Sequence, residues 1–358
     1  MAKFTEIFED VTKKGVKIPS NLYLDTGLYP IIDQGQSAIA GYTNKADGLF
    51  FDVPAIIFGD HTRIIKYVEK PCFLGADGVK LLKAKKPNAN HKYLYYALCN
   101  ADIPNTGYNR HFKWLKEVDI PEYSEEEQEQ IVLELDKISH LIALRKRQLS
   151  KLDELVKSRF VEMFGDPQSN PCGYQYAKLS DIATYFNGLT YKPENVAEEG
   201  TIVLRSSNIQ NSQLDFADTV RVDCAIKERL MVQENDILMC SRNGSAKLVG
   251  KVALIKGIQE PMSFGAFMMI IRSQYFGYLM TYFQMDAFRQ QIKTGATTTI
   301  NQITGRMLDD VTIPLPPLAL VDQFTAFVEQ TDKSKLEVQK SLEKLELLKK
   351  ALMQKYFG

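Results

Sequence analysis

The glycine-rich segment Gly244–Val252 comes closest to a known chemistry, the binding of nucleotide phosphates. It reads GSAKLVGKV. A phosphate-binding loop needs four residues between its two glycines, and a Ser or Thr after its Lys to hold Mg²⁺. Here five residues separate Gly244 from Gly250, and Val252 stands where that hydroxyl is required. The sequence therefore does not predict a nucleotide site at this segment.

Histidine and cysteine are the other residue types that could bind a metal or act as nucleophiles. The histidines lack His-x-x-x-His spacing and the cysteines lack Cys-x-x-Cys spacing, so neither set predicts a metal site. An odd number of cysteines also argues against a disulfide framework. The sequence lacks Gly-x-Ser-x-Gly and the Asn-Pro-Pro-aromatic stretch of adenine methyltransferases. We therefore expect a recognition protein rather than a catalyst, with no metal.

The neighbours Asp60 and His61 leave two interpretations open. They could belong to a site, or they could form a turn in which the Asp60 carboxylate accepts backbone hydrogen bonds. His140 lies in a charged helical segment and is most simply a solvated residue. The sequence alone does not choose between the two interpretations of Asp60.

The overall composition is ordinary for a globular protein of about two domains. The chain has 358 residues, of which 45% are hydrophobic and 25% are charged. It contains no apolar run of about 18 residues and does not begin with the apolar core of a signal peptide, so we expect a cytoplasmic protein. The 44 basic side chains balance 44 acidic ones. A DNA-binding protein of this composition would have to concentrate its basic residues on one face.

An internal repeat organises these elements. A shift of 193 residues superimposes Val118-x-Ile-Pro121 on Val311-x-Ile-Pro314, and it superimposes Phe164-Gly165 on Phe357-Gly358. Each Ile-Pro signal precedes a long helical pattern that ends at Phe-Gly. Similar leucine spacing alone would not place both flanking signals in the same register, so the sequence predicts a true duplication.

Each repeated segment is predicted to be one long helix with an apolar heptad stripe. The first runs from about Ser124 to Phe164, which corresponds to about 60 Å at ~1.5 Å per residue. Such a stripe needs a partner, and the other copy is the nearest one, so we expect an antiparallel coiled coil. An ordinary pair of helices in a globular core is the alternative. The predicted seam residues are Leu135, Ile138, Ile142, Leu149, Leu152, Val156, Val338, Leu342, Leu345 and Leu352.

The remaining chain forms two α+β globular parts. Short β-branched runs such as AIIFG and DILMCS alternate with Gly, Asp and Asn breaks, which is typical of twisted sheets. HKYLYYALCN and FGYLMTYFQMDAFRQQI are predicted to be helical, one in each part. The predicted domains are residues 1–121 and 167–313, with spacer helices at residues 122–166 and 314–358.

These segments resemble the specificity (S) subunits of type I restriction–modification systems. IPEYSEEEQEQIVLELDKISHLIALRKRQLSKLDELVKSRFVEMFGDP resembles their first conserved region, and the segment from IPLPPLALVDQF to ALMQKYFG resembles the second. YPIIDQGQSAIAGYTN and KLSDIATYFNGLTY resemble the openings of their target-recognition domains. One departure, EYSEEE in place of LPPLEE, falls in a connector.

The resemblance implies a specific role and specific partners. Each globular domain would recognise one half of a bipartite site in double-stranded DNA, and the helices would set the spacing. Two methyltransferase (modification) subunits would dock on the helices, and restriction/translocase subunits would join them. Those partners would hold S-adenosylmethionine and ATP, and this chain would hold neither.

Base edges are read by Arg, Lys, Asn, Gln, Ser or Thr side chains on loops or strand ends. Most basic residues on a protein surface are simply solvated, and asparagines also cap turns, so those interpretations stay open. A scaffold without a DNA role and a stand-alone nuclease are the competing hypotheses. The candidate DNA contacts are Lys45, His61, Arg63, Asn109, Arg110 and Lys113 in the first domain, and Arg205, Asn208, Arg242, Asn243, Lys247, Thr297 and Thr298 in the second.

Overall fold

The computed structural model describes residues 1–75, 78–292 and 301–358. The chain divides into two compact units. Unit 1 comprises Met1–Arg147 with Gln339–Gly358, and unit 2 comprises Gln148–Val338. Each unit therefore combines one globular part with half of each long helix, whereas the boundaries predicted from the sequence separate the helices from the globular parts.

Unit 1 is built on a four-stranded antiparallel sheet of order β2-β8-β5-β6. A smaller sheet of order β4-β3-β7 pairs β3 with β7 in parallel. Short 3-10 helices cover Thr12–Lys14 and Ser20–Leu22. The elements are β1 Ala2–Lys3, α1 Phe4–Ile7, β2 Phe8–Asp10, β3 Tyr29–Ile32, β4 Gly41–Thr43, β5 Ala55–Gly59, β6 Ile65–Val68, β7 Phe73–Leu74, β8 Val79–Ala84, α2 His91–Cys99, α3 Phe112–Leu115, β9 Asp119–Ile120 and α4 Glu125–Phe164.

Strand β5 is the centre of the unit 1 core because both of its faces are buried. Ile56 and Phe58 pack with Tyr93 of α2 in one apolar cluster. Ile57, on the opposite face, packs with Leu74 of β7 in another. Alternate strand residues point to opposite faces, so AIIFG reads as a continuous apolar run.

Unit 2 repeats this architecture. Its main sheet has the order β11-β21-β17-β19, and β13 pairs with β20 in parallel within a second sheet. Short 3-10 helices cover Pro193–Asn195, Ser206–Asn208 and Glu228–Leu230. The elements are β10 Tyr176–Lys178, α5 Leu179–Ile182, β11 Thr184–Asn187, β12 Val196–Ala197, β13 Thr201–Leu204, β14 Ile209–Gln210, β15 Gln213–Leu214, β16 Arg221–Val222, β17 Ile237–Cys240, β18 Arg242–Asn243, β19 Val252–Leu254, β20 Met262–Phe264, β21 Met268–Arg272, α6 Phe276–Tyr282, α7 Asp286–Gln291, β22 Asn301–Gln302, α8 Gly305–Asp309, β23 Thr312–Pro314 and α9 Leu318–Phe357.

The predicted single helix at FGYLMTYFQMDAFRQQI is instead two helices, α6 and α7. The break falls at Gln284 and Met285, whose amides donate to the carbonyls of Thr281 and Tyr282, three residues back. Met285 then adopts an extended conformation. The tighter turn ends α6, and Asp286 starts α7 with an acidic side chain, which the helix dipole favours.

The two Ile-Pro signals have the same structural role in both units. Ile120 pairs with Ala2 in a short antiparallel ladder, and Ile313 pairs with Ala177 in another. A tyrosine on the helix that follows each main sheet, α2 in unit 1 and α6 in unit 2, then donates a hydrogen bond to the proline carbonyl. The Tyr93 hydroxyl donates to the Pro121 oxygen at 2.6 Å, and the Tyr278 hydroxyl donates to the Pro314 oxygen at 3.0 Å. The repeated Ile-Pro signal therefore marks the same contact in both units, where the helix after the sheet is bonded to the start of the spacer helix segment.

Helix α4 begins at a capping box formed by Ser124 and Glu127, close to the start expected from the sequence. The Ser124 hydroxyl accepts from the Glu127 amide at 3.3 Å, and the Glu127 carboxylate accepts from the Ser124 amide at 2.9 Å. The same contacts lower the pKa of the Glu127 carboxyl, because the backbone and side chain of Ser124 both donate to its charged form. Gly165 ends the helix with φ +76°, a conformation that favours glycine.

Within unit 1, the first half of α4 packs antiparallel to the second half of α9. The Tyr356 hydroxyl donates to the Glu134 carboxylate at 2.7 Å, and the Arg145 Nε donates to the Ser341 hydroxyl at 3.2 Å. Rising numbers on one helix thus meet falling numbers on the other. Of the predicted seam residues in this unit, Leu135, Ile138 and Leu342 are buried, and Ile142, Leu345 and Leu352 are half-buried.

Within unit 2, the second half of α4 packs antiparallel to the first half of α9. Phe160 and Phe164 lie against Phe324 with ring centroids 5.6 and 5.3 Å apart, and the Lys335 ammonium lies 2.8 Å from the Asp153 carboxylate. The predicted seam residues again lie on the protected face: Val338 is buried, and Leu149, Leu152 and Val156 are half-buried.

Candidate nucleic-acid interface

In unit 1, three chain segments converge beyond the carboxyl ends of β3, β5 and β7. Gln34 follows β3, and His61 follows β5. The Gln34 side-chain oxygen accepts from the His61 amide at 3.2 Å, and its backbone carbonyl accepts from the Thr62 hydroxyl at 2.6 Å. The Gly75 amide, just after β7, donates to the Ile32 carbonyl at 2.7 Å, and the Asp60 amide donates to the Gly78 carbonyl at 2.7 Å, directly before β8. Strand ends thus hold polar side chains at one edge of the unit.

Asp60 anchors the loop of residues 105–111 to this edge. The carboxyl group is only 4% exposed, and it accepts from the Phe112 amide at 2.8 Å. The Asp60 carbonyl accepts from the His111 amide at 2.8 Å and lies 2.9 Å from the His111 Nδ1, which therefore carries the proton. Of the two interpretations left open by the sequence, the structure supports the one in which Asp60 accepts backbone hydrogen bonds.

The loop presents His61, Tyr108 and Asn109 together. The His61 and Tyr108 rings stack with centroids 4.7 Å apart and an angle of 9° between their planes. The His61 Nδ1 lies 3.2 Å from the Asn109 carbonyl oxygen. The Asn109 side-chain nitrogen donates to the Thr106 carbonyl at 2.5 Å, so Asn109 also closes a turn, as the alternative interpretation of this residue predicted.

The predicted basic residues of unit 1 lie in different places. Arg110 is exposed on the loop, and Lys113 is exposed just beyond it with its ammonium 4.1 Å from the Trp114 ring centroid. Arg63 donates to the Ile103 carbonyl at 2.9 Å, which ties it to the scaffold. Lys45 is exposed but follows β4, whose end pairs with the start of β3, so the structure does not bring it to His61.

A buried lysine that the sequence did not single out supports the same edge. Lys66 is 9% exposed; its ammonium donates to the Ser37 carbonyl at 2.6 Å and lies 3.5 Å from the Asp33 carboxylate. Burial lowers the pKa of Lys66, and the Coulomb attraction of Asp33 opposes that shift. Lys66 therefore holds the segment after β3 in place rather than facing a ligand.

In unit 2, the residues after β17 occupy the place of Asp60 and His61. The Ser241 carbonyl accepts from the Ile303 amide at 2.7 Å, as the Asp60 carbonyl does from His111. Arg242 and Asn243 then pair with Gln302 and Asn301 as the two-residue ladder β18–β22. Thr297 and Thr298, two predicted contacts, lie outside the described residues.

Two adjacent concavities of about 370 and 290 Å³ open at this edge of unit 2. Arg205 and Phe267 line the larger one, and Arg242 lines the smaller. The Arg242 guanidinium lies 5.2 Å from the Phe267 ring centroid. Arg205 donates to the Asp218 carboxylate at 2.7 Å, while its buried Nε has no hydrogen-bond partner. The guanidinium groups of Arg205 and Arg242 thus lie at the two concavities, where their exposed N–H groups can donate to acceptor oxygens.

Asn208 does not present its side chain to a ligand. The residue is 1% exposed, and its amide nitrogen donates to the carbonyls of Asp215 and Asp218 at 2.8 and 2.9 Å. Its side-chain oxygen accepts from the Arg205 amide at 2.8 Å. Both polar atoms of the Asn208 side chain make hydrogen bonds inside the fold. The residue therefore has a structural role that holds the Arg205 loop, in place of the predicted DNA contact. Lys247, by contrast, is exposed.

The sequence prediction did not include Gln34, Tyr108 or Phe267. Tyr108 stands between Gly107 and Asn109 in a stretch already singled out, so its aromatic type among polar neighbours was the available signal. Gln34 and Phe267 carried no such signal, because only the parallel pairing of β3 with β7 and of β13 with β20 reveals that their positions belong to the edge.

Other chemistry finds little support among the described residues. Within residues 1–75, 78–292 and 301–358, no group of three or more His, Cys, Asp and Glu side chains could hold a metal ion. Across the same ranges, no helix is both long and apolar enough to span a membrane. Burial raises the pKa of the Cys72 thiol to about 11 and also raises that of Cys240, which disfavours the reactive thiolates.

Comparison of the sequence with known proteins gives a consistent family. A profile described as the type I restriction modification DNA specificity domain matches residues 1–154 and 171–348. The chain is 28% identical over 196 residues to the type I restriction enzyme EcoKI specificity subunit of Escherichia coli strain K12, a match that covers 51% of this chain and 42% of that subunit. It is 23% identical over 354 residues to the EcoR124I/EcoR124II specificity subunit of Escherichia coli, covering 91% of this chain and 84% of that one. The chain thus spans less than half the length of EcoKI's subunit.

Solved structures show the same fold. The crystal structure of a type I restriction-modification system S subunit from M. genitalium superimposes with a TM-score of 0.61 at 17% identity, covering 99% of this chain and 95% of that chain. A chain from a structure of complex assembly and conformational transition in the type I R-M system gives a TM-score of 0.54 at 16% identity, with the same coverage. Because the family profile covers most of the sequence, the protein belongs to the family of type I restriction–modification DNA specificity domains.

Proposed function

We propose that this chain is the sequence-specific DNA-recognition subunit of a type I restriction–modification complex. Each unit reads one half of a bipartite site in duplex DNA with its strand-end edge. The observation that carries the proposal is the duplication itself. The same strand order places Asp60 and His61 in unit 1, and Ser241 and Arg242 in unit 2, at corresponding strand ends.

The side chains at the two edges suit duplex DNA. Arg110, Lys113 and Lys247 are exposed cations that can contact phosphates or donate to the O6 and N7 acceptors of guanine. Arg242 carries guanidinium donors that can read base edges in the major groove. The Asn243 side chain shapes this loop, since its oxygen accepts from the Ser245 amide at 3.0 Å and its nitrogen lies 3.4 Å from the Ser206 hydroxyl. These cations supply local positive charge in a chain that has no net charge.

The long helices act as a spacer in this proposal. Their protected heptad faces form an antiparallel coiled coil, whose register sets the distance between two readers that must match the repeat of the duplex. Two methyltransferase subunits dock on this spacer, and restriction/translocase subunits join them. Those partners carry S-adenosylmethionine and ATP, and this chain performs recognition without catalysis, in the cytoplasm.

The DNA-binding role is tested by co-expressing the chain with methyltransferase subunits and measuring duplex binding against salt. Neutralised phosphates release counterions, so the logarithm of the binding constant should fall linearly with the logarithm of salt concentration. Binding that is sequence-independent, or absent at every salt concentration, would favour a scaffold without a DNA role. Metal-dependent cleavage of DNA by the purified chain alone would instead favour a nuclease.

The spacer is tested by an aspartate placed inside or outside the seam. Leu345→Asp puts a charge on the half-buried seam position and should lower the melting temperature by several degrees, since an unpaired buried charge is costly. Leu347→Asp, at a position 69% exposed on the same helix, is the matched control and should leave melting unchanged. Equal melting of both variants would contradict the seam.

A further inference from the structure

Tyr108 is an aromatic side chain that folding does not explain. It is 88% exposed, the highest exposed fraction among the large apolar side chains of residues 1–75, 78–292 and 301–358. One face of its ring stacks on His61, so the opposite face is open to solvent. Exposed aromatic rings with a fixed orientation are typical of binding surfaces.

The ring is held in place from behind. His61 is itself fixed by the hydrogen bond from its backbone amide to the Gln34 side-chain oxygen and by the contact of its Nδ1 with the Asn109 carbonyl. Asp60 ties the far end of the loop to β5 through the Phe112 amide. The loop thus presents Tyr108 in a preorganised orientation, which reduces the entropy lost on binding.

The surroundings of the ring match a nucleic acid. Arg110 and Lys113 are exposed on the same loop and its helix, where they can contact the phosphates on either side of an inserted ring. Nucleobases stack on aromatic side chains, and apolar or aromatic wedges open base steps in duplex DNA. A base stacked on the open face of Tyr108 would form a three-ring stack with Tyr108 and His61.

We propose that Tyr108 stacks its open face on a base of the half-site read by unit 1 and enters the duplex as a wedge at one base step. His61 is the positioning residue behind it. This inference rests on the proposed function and deepens it, because it assigns to unit 1 a readout through the deformability of a base step. An enzyme that modifies a base must also unstack it, so the wedge assists the docked methyltransferase.

The test uses the complex with its methyltransferase subunits and a duplex that the unsubstituted complex selects from random sequence. 2-Aminopurine replaces each adenine of each half-site in turn, and its fluorescence reports unstacking. The methyltransferase can unstack its own target base, so the wedge is identified by one position, in the half-site read by unit 1, where the increase in fluorescence depends on Tyr108. Tyr108→Phe should keep that signal, and Tyr108→Ala, which removes the wedge, should lose it. Tyr108→Ala should weaken binding by about 5- to 150-fold, the range measured for loss of one stacked base.

Two further variants separate positioning from folding. His61→Ala should reduce the fluorescence signal, and His61→Phe should restore it by restoring a stacking plane. Phe51→Ala is the matched control, since Phe51 is 69% exposed but precedes the start of β5, at the opposite end from His61. Binding and fluorescence unchanged in Tyr108→Ala would overturn the wedge while leaving the proposed function intact. A complex that selects no sequence would contradict the proposed function and the wedge with it.

Discussion

Units 1 and 2 share a scaffold but differ in the chemistry of their reading edges, the proposed DNA-binding segments around His61 in unit 1 and Arg242 in unit 2. The main sheets have the same order, and Tyr93 and Tyr278 make the same bond to a proline carbonyl. At the edge, however, unit 1 anchors its loop through the buried carboxylate of Asp60, whereas unit 2 uses the backbone ladder of Arg242 and Asn243. The duplication thus preserves what positions the loops and varies what the loops present.

The spacer contacts differ in the same way. The shift of 193 residues relates Phe160 and Phe324 of unit 2 to Met353 and Ile131 of unit 1. Both sets are buried, but in unit 2 Phe160 meets Phe324 edge to face and stacks on Tyr278, whereas unit 1 has a flexible Met in the same apolar cluster as an aliphatic side chain. Aromatic pairs add directional packing energy that Met does not supply. We therefore expect the globular part of unit 2 to be joined more rigidly to its spacer helices than that of unit 1.

The largest expected effect is on this packing. Phe160→Ala should cost unit 2 about 3–5 kcal/mol of unfolding free energy, because the ring is fully buried among three others. Met353→Ala should cost unit 1 less, about 2 kcal/mol, since the residue is 9% exposed and borders solvent. Hydrogen exchange in α6 and α2 measures the two units separately. Equal losses, or faster exchange in α2 for Phe160→Ala, would contradict the comparison.

The next effect concerns the anchor of the reading loop. Asp60→Ala should cost about 2–3 kcal/mol, because the buried Phe112 amide loses its acceptor, and it should speed exchange in residues 105–111. Asp60→Asn keeps an acceptor oxygen and is the matched control. Ser241→Ala, at the corresponding position of unit 2, should be nearly neutral because the anchor there is a backbone carbonyl. A large cost for Ser241→Ala would show that the two anchors are not different in kind.

A smaller effect concerns the tyrosine–proline hydrogen bond that both units share. Tyr93→Phe and Tyr278→Phe each remove the hydroxyl that satisfies a proline carbonyl, at about 1–2 kcal/mol. Tyr278→Phe should cost more, because Pro314 is buried while Pro121 is half-buried and can be reached by water. Chemical denaturation of the two single variants and the double variant checks this ranking. Strong non-additivity would contradict independent anchors, since distant sites normally add.

The smallest effect is a pH dependence confined to unit 1. Burial lowers the pKa of His91 from 6.5, with a hydrogen bond to Ala89 opposing it. The unfolded chain therefore binds the proton more readily than the folded one, so stability is present above pH 6.5 and falls as pH drops below that value. His91→Gln should flatten this slope in unit 1 alone. An unchanged slope between pH 7 and 5 would exclude His91 as its source.

Much of the scaffold could be predicted from the sequence, because its signals are periodic or repeated. The heptad spacing located the protected face of both helices, and the Ile-Pro and Phe-Gly signals bracketed α4 and α9. The β-branched runs marked β5 and β17. These signals depend on local geometry, which a single segment carries by itself.

The reading edge could be predicted only in part, because it is assembled from distant segments. His61 and Arg242 follow strongly apolar strands, so their positions were visible in the sequence. Asn208 looked equally suitable, yet its amide is consumed by two carbonyls. Lys45 failed to join the edge because strand pairing places it at the other end of β3. Such outcomes depend on register and burial, which the sequence does not reveal at single positions.

The central claim is that each unit reads its own half of the DNA site, and one measurement tests it most directly. The assembled complex carrying Arg110→Ala and Lys113→Ala, and the complex carrying Arg242→Ala and Lys247→Ala, would each select binding sites from random duplexes. The account predicts that the first complex loses sequence preference in one half-site and the second complex loses it in the other half-site. Loss in the same half, or an unchanged site for both complexes, would contradict it.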